Sequence, residues 1–185
     1  WSVLASQWLP LPAVYGLKSH SLVFQFKPPK VPHALFVELE TETGDIVSPE
    51  IIPRADGTTY VCGISSDTPL PVDPIHVVPD HGGCEELRAL TTIVAPELGA
   101  AEVLVAQACY RPIIHDGLPL IGAVPGISGA YIATGHSVWG MLNGPATAEA
   151  MAELIIEGAT DTVDISPFRV ERLAPLEASA VDTKP

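Results

Sequence analysis

The chain has 185 residues, 47% of them apolar and 17% charged, which suits one folded domain or two small interlocked ones and not a disordered segment. Nine basic against 22 acidic residues leave a net charge of −13, which argues against a phosphate-backbone or anionic-membrane binder, since both need clustered Lys and Arg. No run of about 18 uninterrupted apolar residues is present to span a bilayer, and Cys62, Cys84 and Cys109 are odd in number and far apart, which speaks for a reducing, intracellular setting (cytoplasm or organelle) over a disulfide framework.

The 19 prolines favour strands, turns and crossing loops over a helix bundle. Residues 1–16, broken by Pro10 and Pro12, read as a connecting segment. Ser21–Phe26 and Ala34–Thr41 are short β-branched and aromatic runs separated by Pro28, Pro29 and Pro32, and both read as strands. Ile51–Arg54 and Thr58–Ile64 flank an Asp56-Gly57 hairpin signal, so the first third is expected to be an antiparallel sheet. Residues 66–82 are a Pro-rich connection. Cys84, Leu87, Leu90 and Val94 then recur at helical spacing, and Pro96 and Gly99 fit the end of that helix. Val103–Cys109 reads as a buried strand, and Leu118–Ile121 and Ala130–Thr134 as two more, joined by a turn at Pro125, Gly126 and Gly129. Gly135–Gly144 is a Gly-rich loop. Pro145 suits the first turn of a helix with Ala148, Met151, Leu154 and Ile155 on its apolar face and Gly158 as its C-terminal cap. Beyond Thr160 the sequence turns polar and acidic and reads as a surface strand or arm with a loose tail.

The densest chemistry lies between Cys109 and Gly144. By composition the stretch is strand, turn, strand, Gly-rich loop, helix. Such a loop leaves free N–H groups at a helix N-terminus, where they and the helix dipole stabilise negative charge. By composition alone the plainer reading is preferred, a tight turn in which small residues let backbones pack, since a Gly-rich loop before a helix is common. The six histidines (20, 33, 76, 81, 115 and 136) lack metal-ligand spacing and the cysteines lack CxxC, so no metal site is expected. His81 with Asp80 reads as solvated loop. No GxSxG supports hydrolase chemistry, and Asp116-Gly117 reads more simply as a turn than as half of a dyad with His115.

The whole string is more specific. Arg111-Pro112, then Asp116-Gly117-Leu118-Pro119-Leu120-Ile121-Gly122, then Tyr131-Ile132-Ala133-Thr134-Gly135-His136, then Gly140 and a Pro-Ala-Thr helix start, resembles the C-terminal flavin-binding segment of the D-amino-acid oxidase/glycine oxidase/sarcosine oxidase superfamily. Weaker, colinear resemblance covers Val14–Leu98, where Tyr15-Gly16-Leu17-Lys18 is similar to the entry to the family's substrate domain and Tyr60–Gly63 to one of its strands. Ser19 and Ala148 stand where the family commonly has Gly. The resemblance implies FAD as cofactor, yet no GxGxxG in a strand–loop–helix context occurs here. With Trp1 placed just after the family's central FAD-domain strand, the chain is expected to be the C-terminal half of a longer flavoprotein. Its nucleotide-binding N-terminal half would lie in the same or a separate chain.

On that resemblance Arg111 binds the substrate carboxylate and borders the cofactor. A planar guanidinium fork pairs bidentately with a carboxylate, although a structural ion pair is the plain alternative. Gly135, His136, Trp139, Gly140 and Met141 border the flavin ring, with Trp139 also walling the substrate pocket; a structural role for His136 and core packing for Trp139 are the plain alternatives. Cys109 falls where sarcosine-oxidase-like members carry a flavin-bonding cysteine, but Arg111 resembles the non-covalent oxidases. The expected fold is α+β: a mainly antiparallel substrate-domain sheet with a covering helix, then the strand–loop–helix of a glutathione-reductase-like FAD domain whose Rossmann half is absent. The expected divisions are 1–12 (end of the FAD domain), 13–105 (substrate domain), 106–160 (FAD-binding segment) and 161–185 (arm and tail). The implied activity is oxidation of the C–N bond of a small amine or amino acid, by hydride transfer to flavin N5. Alternatives are a dehydrogenase of the same fold acting on a hydroxy acid with a non-oxygen acceptor, and a non-catalytic interaction domain.

Overall fold

A computed structural model describes residues 2–27, 32–41 and 43–176. Trp1, the Pro28-Pro29 spacer and the expected tail from 177 onward lie outside the described residues. The chain forms two compact units, one of residues 17–110 and one of residues 1–16 with 111–185.

In chain order the elements of the first unit are β1 (Tyr15–Phe24), β2 (Leu35–Phe36), β3 (Leu39–Glu40), β4 (Ile46–Val47), β5 (Glu50–Pro53), β6 (Thr59–Ser66), α1 (His81–Val94), α2 (Pro96–Gly99) and β7 (Val103–Ile113), with β1 and β7 running across its boundaries. Five strands make a sheet in the order β2-β5-β6-β1-β7, and β3 pairs with β4 as a separate ribbon. The register places Ile51 opposite Val61 and Val61 opposite Leu22. Strand alternation then points this row to one face, where it meets Phe24, Ile64, Leu87 and Leu90 of α1 and Leu98 of α2 in a single apolar core. The expected hairpin forms at Asp56-Gly57: Gly57 has φ +87°, which costs an L-residue but not glycine, and the Arg54 N–H donates to the Thr58 carbonyl at 2.8 Å.

Four expectations change here. The Ala34–Thr41 run is not one strand, because Leu35 and Phe36 pair with Ile51 and Glu50 while Leu39 and Glu40 turn away to pair with Val47 and Ile46. Val103–Cys109 is a strand but not a buried one. It stands at the end of the sheet order, and Leu104 and Val105 are exposed along with Cys109. His81 is exposed but opens α1 rather than lying in a loop, and Pro96 starts the short α2 instead of simply ending α1.

The second unit contains a 3-10 helix (Ser2–Gln7) where only a connection was expected, a hairpin of β8 (Leu120–Ala123) and β9 (Tyr131–Thr134), a 3-10 turn (Ser137–Trp139), α3 (Gly140–Glu157), and two 3-10 turns (Ser166–Phe168 and Val170–Arg172). Leu11, Val124 and Val170 form its small core, with Ala5, Leu9, Ala130 and Ile132 against them. The arm after Thr160 is therefore no strand. It is a pair of tight turns anchored by buried Val170 and by the Leu176 N–H donating to the Leu11 carbonyl at 2.9 Å.

α3 starts five residues earlier than Pro145 suggested. Proline has no N–H to give, and within the helix it leaves the Met141 carbonyl without its usual partner. Pro145 lies in the second turn, and Met141 itself is 96% exposed. Gly158 ends the helix as expected, at φ +81° with its N–H on the Leu154 carbonyl at 3.1 Å. The seam is rotated from the expected face: Ala150 is the buried residue, Met151 and Leu154 are half-buried, and Ala148 and Ile155 are exposed.

Candidate functional site

The turn after β7 is built from the sequence outward. The Gly117 N–H donates to the Ile114 carbonyl at 2.9 Å, and the Leu118 N–H donates to Asp116 Oδ1 at 3.1 Å, an Asx turn that Asp-Gly favours. Arg172, 56 residues away, donates from Nε to Asp116 Oδ2 at 2.7 Å and from Nη2 to Asp116 Oδ1 at 3.1 Å. Its Nη2 also reaches the Leu118 carbonyl at 2.7 Å, and its Nη1 the Arg169 carbonyl at 3.1 Å. This guanidinium holds the Asp116 carboxyl at about 2, well below the usual carboxylate range. Arg111 sits half-buried in β7 just before this turn. No sequence signal pairs Asp116 with a cation so distant in the chain.

The loop after β9 is pinned against the same turn. Gly135 is buried with φ +85°, and a Cβ on it would lie 2.5 Å from Ile114 Cγ1, so the backbone is in direct contact with that buried side chain. His136 Nε2 lies 3.0 Å from Thr147 Oγ1, one helical segment further on, and burial pushes the His136 pKa down. Ser137 adopts φ +51°, the one non-glycine positive φ among the described residues, and a β-carbon there stores strain. Trp139 is 60% exposed and Met141 almost wholly so. The head of α3, which continues directly from the Ser137–Trp139 turn, has no side-chain cap and no acidic residue in its first turn, so no side chain offsets its positive dipole end.

Two glycines test whether a flat ring suits this place. Gly140 has an ordinary helical φ, and a Cβ on it would meet only His136 Cβ at 3.7 Å; at Gly144 a Cβ would meet nothing within 4 Å. Neither is required by the packing of this chain, and each costs helix stability relative to Ala. With the uncapped N–H groups and the uncovered Trp139 and Met141, the residues present fit a planar group with an electron-rich edge.

A second polar cluster, which the sequence pattern did not reveal, lies in the unit 17–110. Lys18, 3% exposed, donates from Nζ to Asp80 Oδ1 at 2.5 Å. His20, 1% exposed, has its Nε2 3.1 Å from the Asp80 N and 3.2 Å from Asp80 Oδ2, and its Nδ1 3.2 Å from the Ile64 carbonyl oxygen. Ser66 and Thr68 donate to Asp80 Oδ2, and the Lys18 ammonium leads these contacts in lowering the Asp80 pKa. Alternation along β1 puts Lys18 and His20 on one side, but nothing local names Asp80 as their partner.

The fold class is mixed α/β with an antiparallel sheet and few helices, as in glycine oxidase structures. The glycine oxidase of Geobacillus kaustophilus superimposes with a TM-score of 0.69 at 25% identity, over 89% of this chain and 40% of that one. Iminodiacetate oxidase of a Chelativorans species shares the fold with a TM-score of 0.67, over 91% of this chain and 42% of that one.

The FAD dependent oxidoreductase family (DAO) matches residues 1–154, and the chain belongs to that family. It is 35% identical over 161 residues to TDA3 of Saccharomyces cerevisiae, a protein named as an oxidoreductase, covering 83% of this chain and 30% of that one. It is 31% identical over 117 residues to a glycine oxidase of Pseudomonas aeruginosa, covering 63% of this chain and 30% of that one. The chain thus spans less than half the length of these relatives. Among the described residues no helix is long and apolar enough to cross a membrane.

Proposed function

We infer that the protein is an FAD-dependent oxidoreductase that oxidises the C–N bond of a small amine or amino acid. The observation that carries this reading is the Gly-lined, uncapped head of α3 next to a buried Gly135, in a chain of the DAO family that also places Arg111 before the Asp116 turn. FAD, when bound, supplies the acceptor for a hydride from the substrate carbon. The residues of this chain hold and orient. Arg111 offers a planar fork to a substrate carboxylate, which fixes the position of the adjacent carbon. Gly135 and Gly140 let backbone approach a flat ring, and the first N–H groups of α3 offer hydrogen bonds and a positive dipole end to its electron-rich edge. His136, held by Thr147, and Trp139 wall the loop and exclude water. The apolar surface that α3 leaves open at Met141, Leu142 and Ile156 suits cover by a nucleotide-binding half of the complete protein.

The test is Arg111→Ala in the complete, flavin-loaded protein. Losing a bidentate, charge-assisted pair removes about 3 kcal/mol, roughly a hundredfold in kcat/KM for a carboxylate substrate, with FAD still bound. Unchanged kinetics would remove Arg111 from the site, and a complete protein that binds no FAD would overturn the reading.

A further inference from the structure

The family match ends at residue 154, so the arm of residues 161–176 lies beyond it, yet that arm reaches back to the candidate site through one side chain. Arg172 engages both carboxylate oxygens of Asp116 and the Leu118 carbonyl, and closes its own 3-10 turn on the Arg169 carbonyl. Its side chain is 16% exposed and that of Asp116 28%, so the pair lies at the surface with the guanidinium the better covered of the two. The turn it grips begins at Ile114, 4% exposed, and Ile114 is the side chain against which the Gly135 backbone rests. A continuous set of contacts thus runs from Arg172 through Asp116 and Ile114 to the loop that opens α3, and the same turn terminates the strand that carries Arg111.

We propose that Arg172 is a positioning residue: its fork on Asp116 and Leu118 fixes the 114–118 turn, and through Ile114 it sets the Gly135–Gly140 loop in the geometry that receives the flavin. This rests on the function proposed above. Only a fork fulfils the role. Lys at 172 keeps the charge but offers one compact ammonium, which does not hold two carboxylate oxygens and a carbonyl in fixed directions. The arm has a separate anchor in Val170, which is 2% exposed and packs on Leu11 and Val124 without taking part in the Asp116 turn's hydrogen bonds. Anchoring and positioning are therefore separable by mutation.

The experiment compares wild type, Arg172→Ala, Arg172→Lys and Val170→Ala in the complete protein. FAD affinity is measured by fluorescence titration well below each melting temperature, and amide exchange is followed at residues 114–118 and 135–140. Arg172→Ala is expected to weaken FAD binding about tenfold or more and to speed exchange in both segments, since a small misplacement relayed from a distance is enough to cost that much. Arg172→Lys restores little of the affinity, and Val170→Ala lowers the melting temperature while leaving FAD affinity within about twofold of wild type. Wild-type affinity in Arg172→Ala, full rescue by Lys, or an equal loss of affinity in Val170→Ala each overturns the proposal. If Arg172→Ala does not fold, the Lys variant decides alone: wild-type FAD affinity overturns the proposal and a clear loss supports it. Wild-type protein that binds no FAD sinks the proposed function and this inference with it, whereas wild-type protein that binds FAD with unaltered variants sinks only this one.

Discussion

Gly135→Ala tests the packing of the loop against the turn most directly. At φ +85° an alanine pays about 1–2 kcal/mol for the left-handed region. Its Cβ would also sit 2.5 Å from Ile114 Cγ1 and 3.0 Å from Cδ1. Ile114 is buried and has little room to withdraw, so overpacking adds about 1–3 kcal/mol. The expected loss is about 2–5 kcal/mol in all, read as a shift in the urea midpoint at unchanged slope. Ile114→Ala removes the clash but not the backbone strain. The double variant should therefore show a favourable coupling of about 1–3 kcal/mol relative to the sum of the single changes. Gly144→Ala is the control: with nothing within 4 Å of the added methyl and an ordinary helix around it, stability rises by up to about 1 kcal/mol. A Gly135→Ala protein within about 0.5 kcal/mol of wild type, or zero coupling to Ile114→Ala, would refute the argument.

Three further outcomes follow from the same geometry. The Asp116 carboxyl titrates at about 2 when folded against an ordinary 3.8, so its contribution to stability is whole above about pH 4 and is lost as pH falls toward 2; Asp116→Asn should flatten that acid limb, and equal urea midpoints for variant and wild type across the range would contradict the pairing. Asp80→Ala strands the buried Lys18 ammonium, whereas Lys18→Met leaves a carboxylate that is 40% exposed and still accepts from Ser66 and Thr68; Asp80→Ala should therefore melt at the lower temperature, and the reverse order would be inconsistent with a buried lysine. Ser137→Gly relieves the positive φ at a cost in unfolded-chain entropy, a net gain of up to about 1 kcal/mol accompanied by weaker FAD binding if the strain holds the loop in place; a loss of stability would show that the serine is not strained.

What the sequence determined by itself is whatever a few neighbouring residues decide. Asp56-Gly57 specifies a hairpin because glycine alone accepts the turn's φ without penalty, and Gly158 stops α3 for the same reason. The spacing of Leu87, Leu90 and Val94 gives a helix with one apolar side wherever it docks. The string from Arg111 to Gly140 carried the family resemblance, and the family match over residues 1–154 includes it. Tertiary structure decided the rest. Ala34–Thr41 reads as one strand until its two halves find different partners, and Val103–Cys109 reads as buried until it takes the end position of the sheet. Pro145 reads as a helix start because local preference cannot tell that the preceding glycines are already helical. Arg172 on Asp116 and Lys18 on Asp80 are separated by 56 and 62 residues. A charge shows in sequence that it needs a partner or water, and only the folded chain, by bringing distant segments within hydrogen-bond reach, selects which.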